Sequence, residues 1–419
     1  MTAISSTTSK LRVNGDRLNA QIDRLAKIGK QPSGSICRLA FTPEDLQARY
    51  LVQQWMVAAG MTVRTDAAGN LIGTYAGNMP HAPALATGSH IDTVPSGGKF
   101  DGVLGVLAGI EVVTTLRENN LRLNHPIEVI VFTDEESTMI GSQAIAGTVL
   151  LNSPDRYQPK SGESIQQALE NMGGDWEALA TAKRNSSEIA AFIELHVEQG
   201  AVLEKSGQEV GIVQGVVGMR RSLITILGQA NHAGTTPMDQ RQDALVAAAQ
   251  VILAVQSIAR KMPSNPVATV GYLMVAPNSV NSVAGKVELT VDMRDLSNAC
   301  LDEMAGQLQE NLDAIAADTK TAIAMTPILF VEPTPVAEYT QTIIASVCQR
   351  LGLSYCHLPS RAGHDAMEIG RITDMGMIFV PSLAGVSHSE AEYTAPEQCT
   401  YGANTLLQTF LELDDHYAV

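Results

Sequence analysis

Two hydrophobic textures alternate along this chain, and the change from one to the other outlines its elements. After a polar leader, Thr42-Pro43-Glu44-Asp45 reads as a helix start, with a hydroxyl cap, a proline in the first turn and acids against the dipole. Leu51, Trp55, Ala58 and Ala59 follow at amphipathic spacing. Apolar runs then alternate with helical segments. A strand at 84–86 leads into Gly88-Ser89-His90, a buried helix covers 102–116, and further strands fall at 127–132, 190–195 and 377–380. Continuous apolar strands separated by helices predict an α/β fold with a mostly parallel sheet covered on both faces.

The second texture begins near Gly211. Gly215-Val216-Val217-Gly218 has the composition of a hinge, and 222–227 alternates like a half-exposed strand. A helix at 243–259, strands at 268–274 and 286–293, a helix at 298–313 and a strand at 323–331 complete the segment. That β-α-β-β-α-β order predicts a ferredoxin-like α/β domain. Pro333-Thr334-Pro335 closes it. Residues 1–211 and 333–419 therefore form one domain and 212–332 a second, inserted in the first.

Composition narrows the class. A chain of 419 residues exceeds what one core usually organises, and 45% hydrophobic with 17% charged residues suits a folded protein. Twenty-eight basic against 44 acidic residues give a net charge of −16, which argues against nucleic-acid or anionic-membrane partners. Cys37, Cys300, Cys348, Cys356 and Cys399 are scattered without a CxxC pair, so free thiols and a cytoplasmic location are expected. The leader lacks a signal-peptide core. The uncharged stretch 244–259 reads as too short to span a bilayer, and 262–285 is broken by Pro, Gly, Asn and Ser.

Chemistry gathers where strands end. His90 and Asp92 follow one strand, and Asp101 lies in the Gly-rich loop Gly97-Gly98-Lys99-Phe100-Asp101-Gly102 before a helix. Asp134-Glu135-Glu136 follow a second strand, His196 ends a third, and His388 follows a fourth by a short loop. Ligands of open parallel sheets bind outside the carboxyl ends of the strands, so these groups would converge on one crevice. Any one of them alone reads as an ordinary strand-end or surface residue. Together they suit a borderline divalent ion such as zinc, with manganese or cobalt as alternatives. Two ions about 3.5–4 Å apart need a shared carboxylate, and of the adjacent acids Glu135 and Glu136 one can ligate while the other moves a proton.

These motifs, together with Glu194-Leu195-His196-Val197-Glu198-Gln199-Gly200, resemble the hydantoinase/carbamoylase family of dinuclear zinc amidohydrolases. That family comprises N-carbamoyl-L-amino-acid hydrolases, allantoate amidohydrolases and β-ureidopropionases, within a superfamily that includes aminoacylases and carboxypeptidase G-type enzymes. The resemblance runs from about Arg17 to the C-terminus. It implies His90, Asp101, Glu136, His196 and His388 as ligands of two divalent ions per subunit, zinc first and manganese, cobalt or nickel as alternatives. Asp101 would bridge, Glu135 would be the general base, and Asp92 would orient His90.

The same resemblance implies a lid domain that also forms a homodimer. It assigns His232 to the developing oxyanion, and Asn281 and Arg294 to the carboxylate of a small substrate. Gln199 and His364 would complete the pocket. The implied reaction cleaves the ureido bond of N-carbamoyl-L-amino acids, with allantoate or β-ureidopropionate as alternative substrates and N-acyl-amino-acid deacylation or peptide cleavage behind them. Two positions depart from the family pattern: Arg361 stands before Ala362-Gly363-His364-Asp365 in place of Gly, and Ala284 replaces a common Pro. A solvent-facing Arg361 is the expectation, against the reading that it adds charge near the substrate.

Overall fold

In the computed structural model, which describes residues 10–160 and 162–417, helix Pro43–Ala58 begins where the sequence places it. The Thr42 hydroxyl accepts from the Asp45 amide at 3.4 Å, with Pro43, Glu44 and Asp45 in the first turn. The chain divides into two compact units: residues up to Gly215 with those from Val336 onward, and Val216–Pro335. These breaks lie a few residues beyond those read from texture, because strand Val210–Val216 pairs antiparallel with Asp374–Val380 in the first unit's sheet.

The first unit is a mixed α/β structure around a largely parallel sheet. Seven of its strands run in the order Thr62–Thr65, Leu71–Tyr75, Ile127–Val131, Ala84–Ser89, Ile189–Val197, Asp374–Val380 and Val210–Val216, and Tyr355–Ser360 also pairs with the last of these. The central four are parallel, and the flanking pairings are antiparallel. Every residue of Ala84–Ser89 and Ile127–Val131 is buried, as expected of strands covered on both faces. Helix Val103–Glu118 is buried along almost its whole length, which its near-continuous apolar sequence requires. Helix Pro396–His416 packs into the same core through Cys399, Leu406, Leu407 and Phe410. That helix, Gly15–Leu25, Ile140–Ala146 and Glu338–Leu351 are further helices of this unit.

The second unit is a four-stranded antiparallel sheet in the order Ala322–Val331, Gly218–Leu227, Lys286–Asp295, Val267–Ala276. Helices Ala244–Lys261 and Asn298–Thr319 share a core with it, completing the β-α-β-β-α-β order. Burial alternates strictly along Lys286–Asp295, so one face of the strand meets the helices and the other does not. Helix Ala244–Lys261 runs two residues past the stretch judged too short for a bilayer, and by length and composition alone it would suffice to cross one. Its Ala247, Val251, Val255 and Ile258 instead pack into the unit's core. All five cysteines are free thiols.

Leu107, fully buried in helix Val103–Glu118, and Leu253, 66% exposed, separate core from surface. Leu107→Ala should lower stability by about 2–5 kcal/mol, and Leu253→Ala by about 0.5 kcal/mol or less. Urea unfolding of the two variants checks this.

Candidate metal centre

The carboxyl ends of the parallel strands build the site. Ala84–Ser89 delivers His90, Ile127–Val131 leads to Glu135 and Glu136, and Asp374–Val380 leads by a loop to His388. His196 is the penultimate residue of Ile189–Val197, so it sits inside its strand rather than at the end. These side chains, with Asp101, Gln199 and His364, line a cavity of about 220 Å³. Two buried guanidiniums pin the loops from behind. Arg38 Nε donates to the Ile91 carbonyl at 2.6 Å, and Arg49 Nη2 donates to that of Phe132 at 2.9 Å.

Asp101 divides its carboxylate between two donor sets. Oδ1 lies 3.1 Å from His196 Nε2 and 3.6 Å from His90 Nε2. Oδ2 lies 3.4 Å from His388 Nε2, whose other neighbour is Glu136 Oε2 at 3.5 Å. His90, Asp101 and His196 thus form one group able to hold a cation, and Asp101, Glu136 and His388 a second. Glu135 Oε2 stands 3.6 Å from His90 Nε2. Gly102 makes the approach possible: at φ 66° it starts helix Val103–Glu118, and a Cβ there would lie 2.5 Å from the His90 ring.

The orienting contacts correct one expectation. His90 Nδ1 is 3.0 Å from the main-chain carbonyl of Asp92 and 3.7 Å from its carboxylate Oδ1. The carbonyl therefore takes the imidazole hydrogen, while Asp92 Oδ2 accepts the Glu136 amide at 3.2 Å. The loop turns back within two residues, and that brings its own backbone nearer than the side chain. His196 follows the same rule, with Nδ1 2.8 Å from the Val197 carbonyl. Donation through Nδ1 leaves the Nε2 lone pair of both rings turned toward Asp101, where that of His196 also accepts the Gly102 amide at 3.2 Å.

Electrostatics separates the acids. Burial raises Asp101, but the surrounding His196, His388 and His90 outweigh it and hold the carboxyl well below its usual range. Burial lifts Glu135 well above the usual range, with His90 opposing, and lifts Glu136 less far. Burial, then the charge of neighbouring His196, keeps His364 neutral; its Nε2 meets the Ser360 hydroxyl at 2.8 Å. Among the described residues lining the cavity there is no Lys or Arg. Buried carboxylates whose basic neighbours are imidazoles, themselves able to ligate, are costly unless a cation joins them, so this donor set fits divalent ions.

The other expected contacts are distributed differently. Gln199 faces the cavity, yet its Nε2 donates to Asp101 Oδ2 at 2.8 Å. Arg361 is exposed and does not line the cavity, and Ala284 is buried in the second unit's core. His232, Asn281 and Arg294 lie in the second unit. His232 Nδ1 accepts the amides of Gly234 and Thr235 at 3.0 and 3.2 Å, which places the ring proton on Nε2. Asn281 neighbours it through the pairing of Ser282 with His232. Arg294 Nε is paired with Asp292 Oδ1 at 2.9 Å, and Asp292 also binds Arg221. The sequence reading overlooked Arg38, Arg49, Ser387 and Glu392, all held by contacts distant in sequence.

Imidazoles and carboxylates gathered at strand ends around a shared aspartate are the equipment of metal-dependent hydrolases as a class. The chain belongs to peptidase family M20/M25/M40, whose family model matches residues 86–412. It is 41% identical over 408 residues to the N-carbamoyl-L-amino acid amidohydrolase of Geobacillus stearothermophilus, covering 96% of this chain and 99% of that one. Allantoate amidohydrolase of Bacillus subtilis is 33% identical, covering 94% and 96%. A solved amidase of the hydantoinase/carbamoylase family from Burkholderia multivorans superposes with a TM-score of 0.90 at 36% identity, covering 96% and 98%. The resemblance read from the motifs is borne out.

Proposed function

We propose that this chain is a divalent-metal-dependent amidohydrolase that cleaves the ureido C–N bond of N-carbamoyl-L-amino acids, releasing ammonia, carbon dioxide and the amino acid. The observation that carries it is the Asp101 carboxylate, shared between the His90/His196 and Glu136/His388 donor sets. The likeness to the Geobacillus stearothermophilus enzyme supports the substrate class, and that to the Bacillus subtilis enzyme makes allantoate the second reading. His90, Asp101 and His196 would hold one ion, and Asp101, Glu136 and His388 the other. Nitrogen and oxygen donors put zinc first, with manganese, cobalt and nickel as alternatives. Such ions supply Lewis-acid polarisation of the carbonyl and a lowered pKa for water.

Glu135 accepts the proton of the attacking water and returns it to the departing nitrogen. Its raised carboxyl pKa suits a base working near neutrality. Ammonia leaves, and the carbamate left behind loses carbon dioxide. His232, fixed as the Nε2–H form by two amides, donates to the oxyanion. Arg294 offers its planar fork to the substrate carboxylate, exchanging part of its pairing with Asp292. Gln199 serves by holding Asp101, and neutral His364 walls the pocket.

The second unit, in this reading, is a lid and the homodimer interface. Its outer strands expose Tyr272, Leu273 and Met274 on one side and Ile328 and Phe330 on the other, surfaces that unpaired edges seldom leave uncovered. Five free thiols suit a cytoplasmic location.

Asp101→Ala should lower binding of both ions, while His388→Ala lowers one; metal analysis after dialysis decides. Glu135→Gln should keep its metal content yet lose turnover by at least about 10²-fold, measured as ammonia release. Arg294→Ala should raise KM more than it lowers kcat, and an unchanged KM would remove Arg294 from the substrate site. A panel of N-carbamoyl-L-amino acids, allantoate and N-acetyl amino acids tests the reaction class. Fastest ammonia release from the first is expected; acetate release alone would overturn the ureido reading.

A further inference from the structure

We propose that Glu392, acting with Ser387, is the positioning residue for Asp101, so that one buried carboxylate ties the Asp101 loop to the His388 loop. This inference rests on the metal-centre reading above. Glu392 is only 5% exposed. Its Oε1 accepts two amides, from Phe100 at 2.8 Å and from Asp101 at 3.2 Å. Its Oε2 lies 3.3 Å from the Ser387 hydroxyl, and that hydroxyl lies 2.9 Å from Asp101 Oδ2. Asp101 is thus gripped twice, at its main chain and, through one hydroxyl, at its carboxylate.

The second link follows from where Glu392 originates. It belongs to the loop that carries His388: Ser387 immediately precedes that ligand, and the Glu392 amide closes a turn onto the Ser389 carbonyl at 3.1 Å. A shift of Glu392 would therefore move the shared carboxylate and one terminal imidazole together. Among the described residues Glu392 forms no ion pair with Lys or Arg, so two amides are its main support, the single Ser387 proton lying closer to Asp101 Oδ2 than to Glu392 Oε2. Burying a carboxylate on such terms is costly unless each acceptor is used. Gly98 provides the matching surface. A Cβ there would lie 2.3 Å from Glu392 Oε1 and 2.4 Å from its Cβ and Cδ, so Gly98→Ala displaces Glu392 without altering it.

Geometry rather than charge is the operative property. Asp101 has to present Oδ1 to His90 and His196 and Oδ2 to His388, and a rotated carboxylate serves neither set. Groups that orient metal ligands typically govern affinity by about 10–100-fold.

The test uses the full chain, stripped of metal and titrated with Zn²⁺ against a chromophoric chelator, with circular dichroism confirming the fold. Glu392→Ala and Gly98→Ala should weaken binding of both ions by about 10–100-fold and change the visible spectrum of the Co²⁺-loaded protein. Ser387→Ala should weaken it less. Glu392→Gln, whose amide oxygen still accepts both amides, should bind close to wild type. At saturating metal, the weakened variants should lose kcat with KM little changed. Wild-type affinity in Glu392→Ala, or a Glu392→Gln protein as weak as Glu392→Ala, would overturn the inference. If Glu392→Ala does not fold, Gly98→Ala and Ser387→Ala decide by the same criterion. Wild type and Asp101→Ala run alongside: a wild type that binds no divalent ion sinks the metal-centre reading itself. Loss in Asp101→Ala without loss in the Glu392, Gly98 and Ser387 variants sinks only this one.

Discussion

The Asp101 carboxylate, held with one oxygen toward each of two imidazole-bearing groups, is the contact on which the polar centre of the first unit depends. It works because several weak supports converge. Gln199 and Ser387 donate to Oδ2, and the backbone on either side is set by the Glu392 grip and by Gly102. The helix that follows is buried along almost all its length, so the loop before it has little freedom to relax. The three surrounding imidazoles favour negative charge at that position and outweigh the cost of burial. Packing and electrostatics therefore ask for the same placement.

Precision at strand ends has a conformational cost. Asp134, Gln199 and His388 adopt φ of 57°, 58° and 53°, a region non-glycine residues avoid. Such residues cost about 1–3 kcal/mol each. A single fully buried Val, Leu or Ile contributes about 1.5–3 kcal/mol, and the surrounding core holds dozens of buried apolar side chains. A few well-packed residues of strands Ile127–Val131 and Ile189–Val197 are enough to offset the strain of loops that reach toward the cavity. The same loops are pinned from below by Arg38 and Arg49, which cap the carbonyls of Ile91 and Phe132. Rigid strands set the positions, and the strained turns aim the side chains.

This division explains what could be read without coordinates. Apolar runs such as 127–132 stop abruptly at acids, and 190–195 at an imidazole; that pattern marks both strand and site, because the sheet's ends are where polar groups can be tolerated. Alternation along 286–293 marks the antiparallel sheet for the same reason. What stayed hidden are contacts made by the backbone or across long separations. His90 is oriented by a carbonyl, which any residue at position 92 would supply, so the visible acid Asp92 drew an assignment that belongs to its main chain. Glu392 reaches the Asp101 amide across 291 residues, and no spacing rule detects that. Gln199, read as a pocket residue, lines the cavity, and the contact its sequence did not reveal is the bond from its Nε2 to Asp101.

The adjacent acids Glu135 and Glu136 show how two identical side chains come to differ. They leave the same loop, but Glu136 Oε2 lies beside His388 Nε2 and Glu135 Oε2 beside His90 Nε2. Burial raises both carboxyls, Glu135 further; His90 opposes in each case, and neighbouring carboxylates add to the rise in each. A divalent cation in the cavity would lower both again, and the stronger fall belongs to whichever carboxylate touches it. Glu136 shares a donor set with Asp101 and His388, whereas Glu135 belongs to none of the groups able to hold a cation. With a cation there, Glu136 would be held as the anion, and Glu135 would stay the more readily protonated of the two. Their different surroundings follow from which neighbour each one meets, a distinction of a few ångströms made beside one strained turn at Asp134.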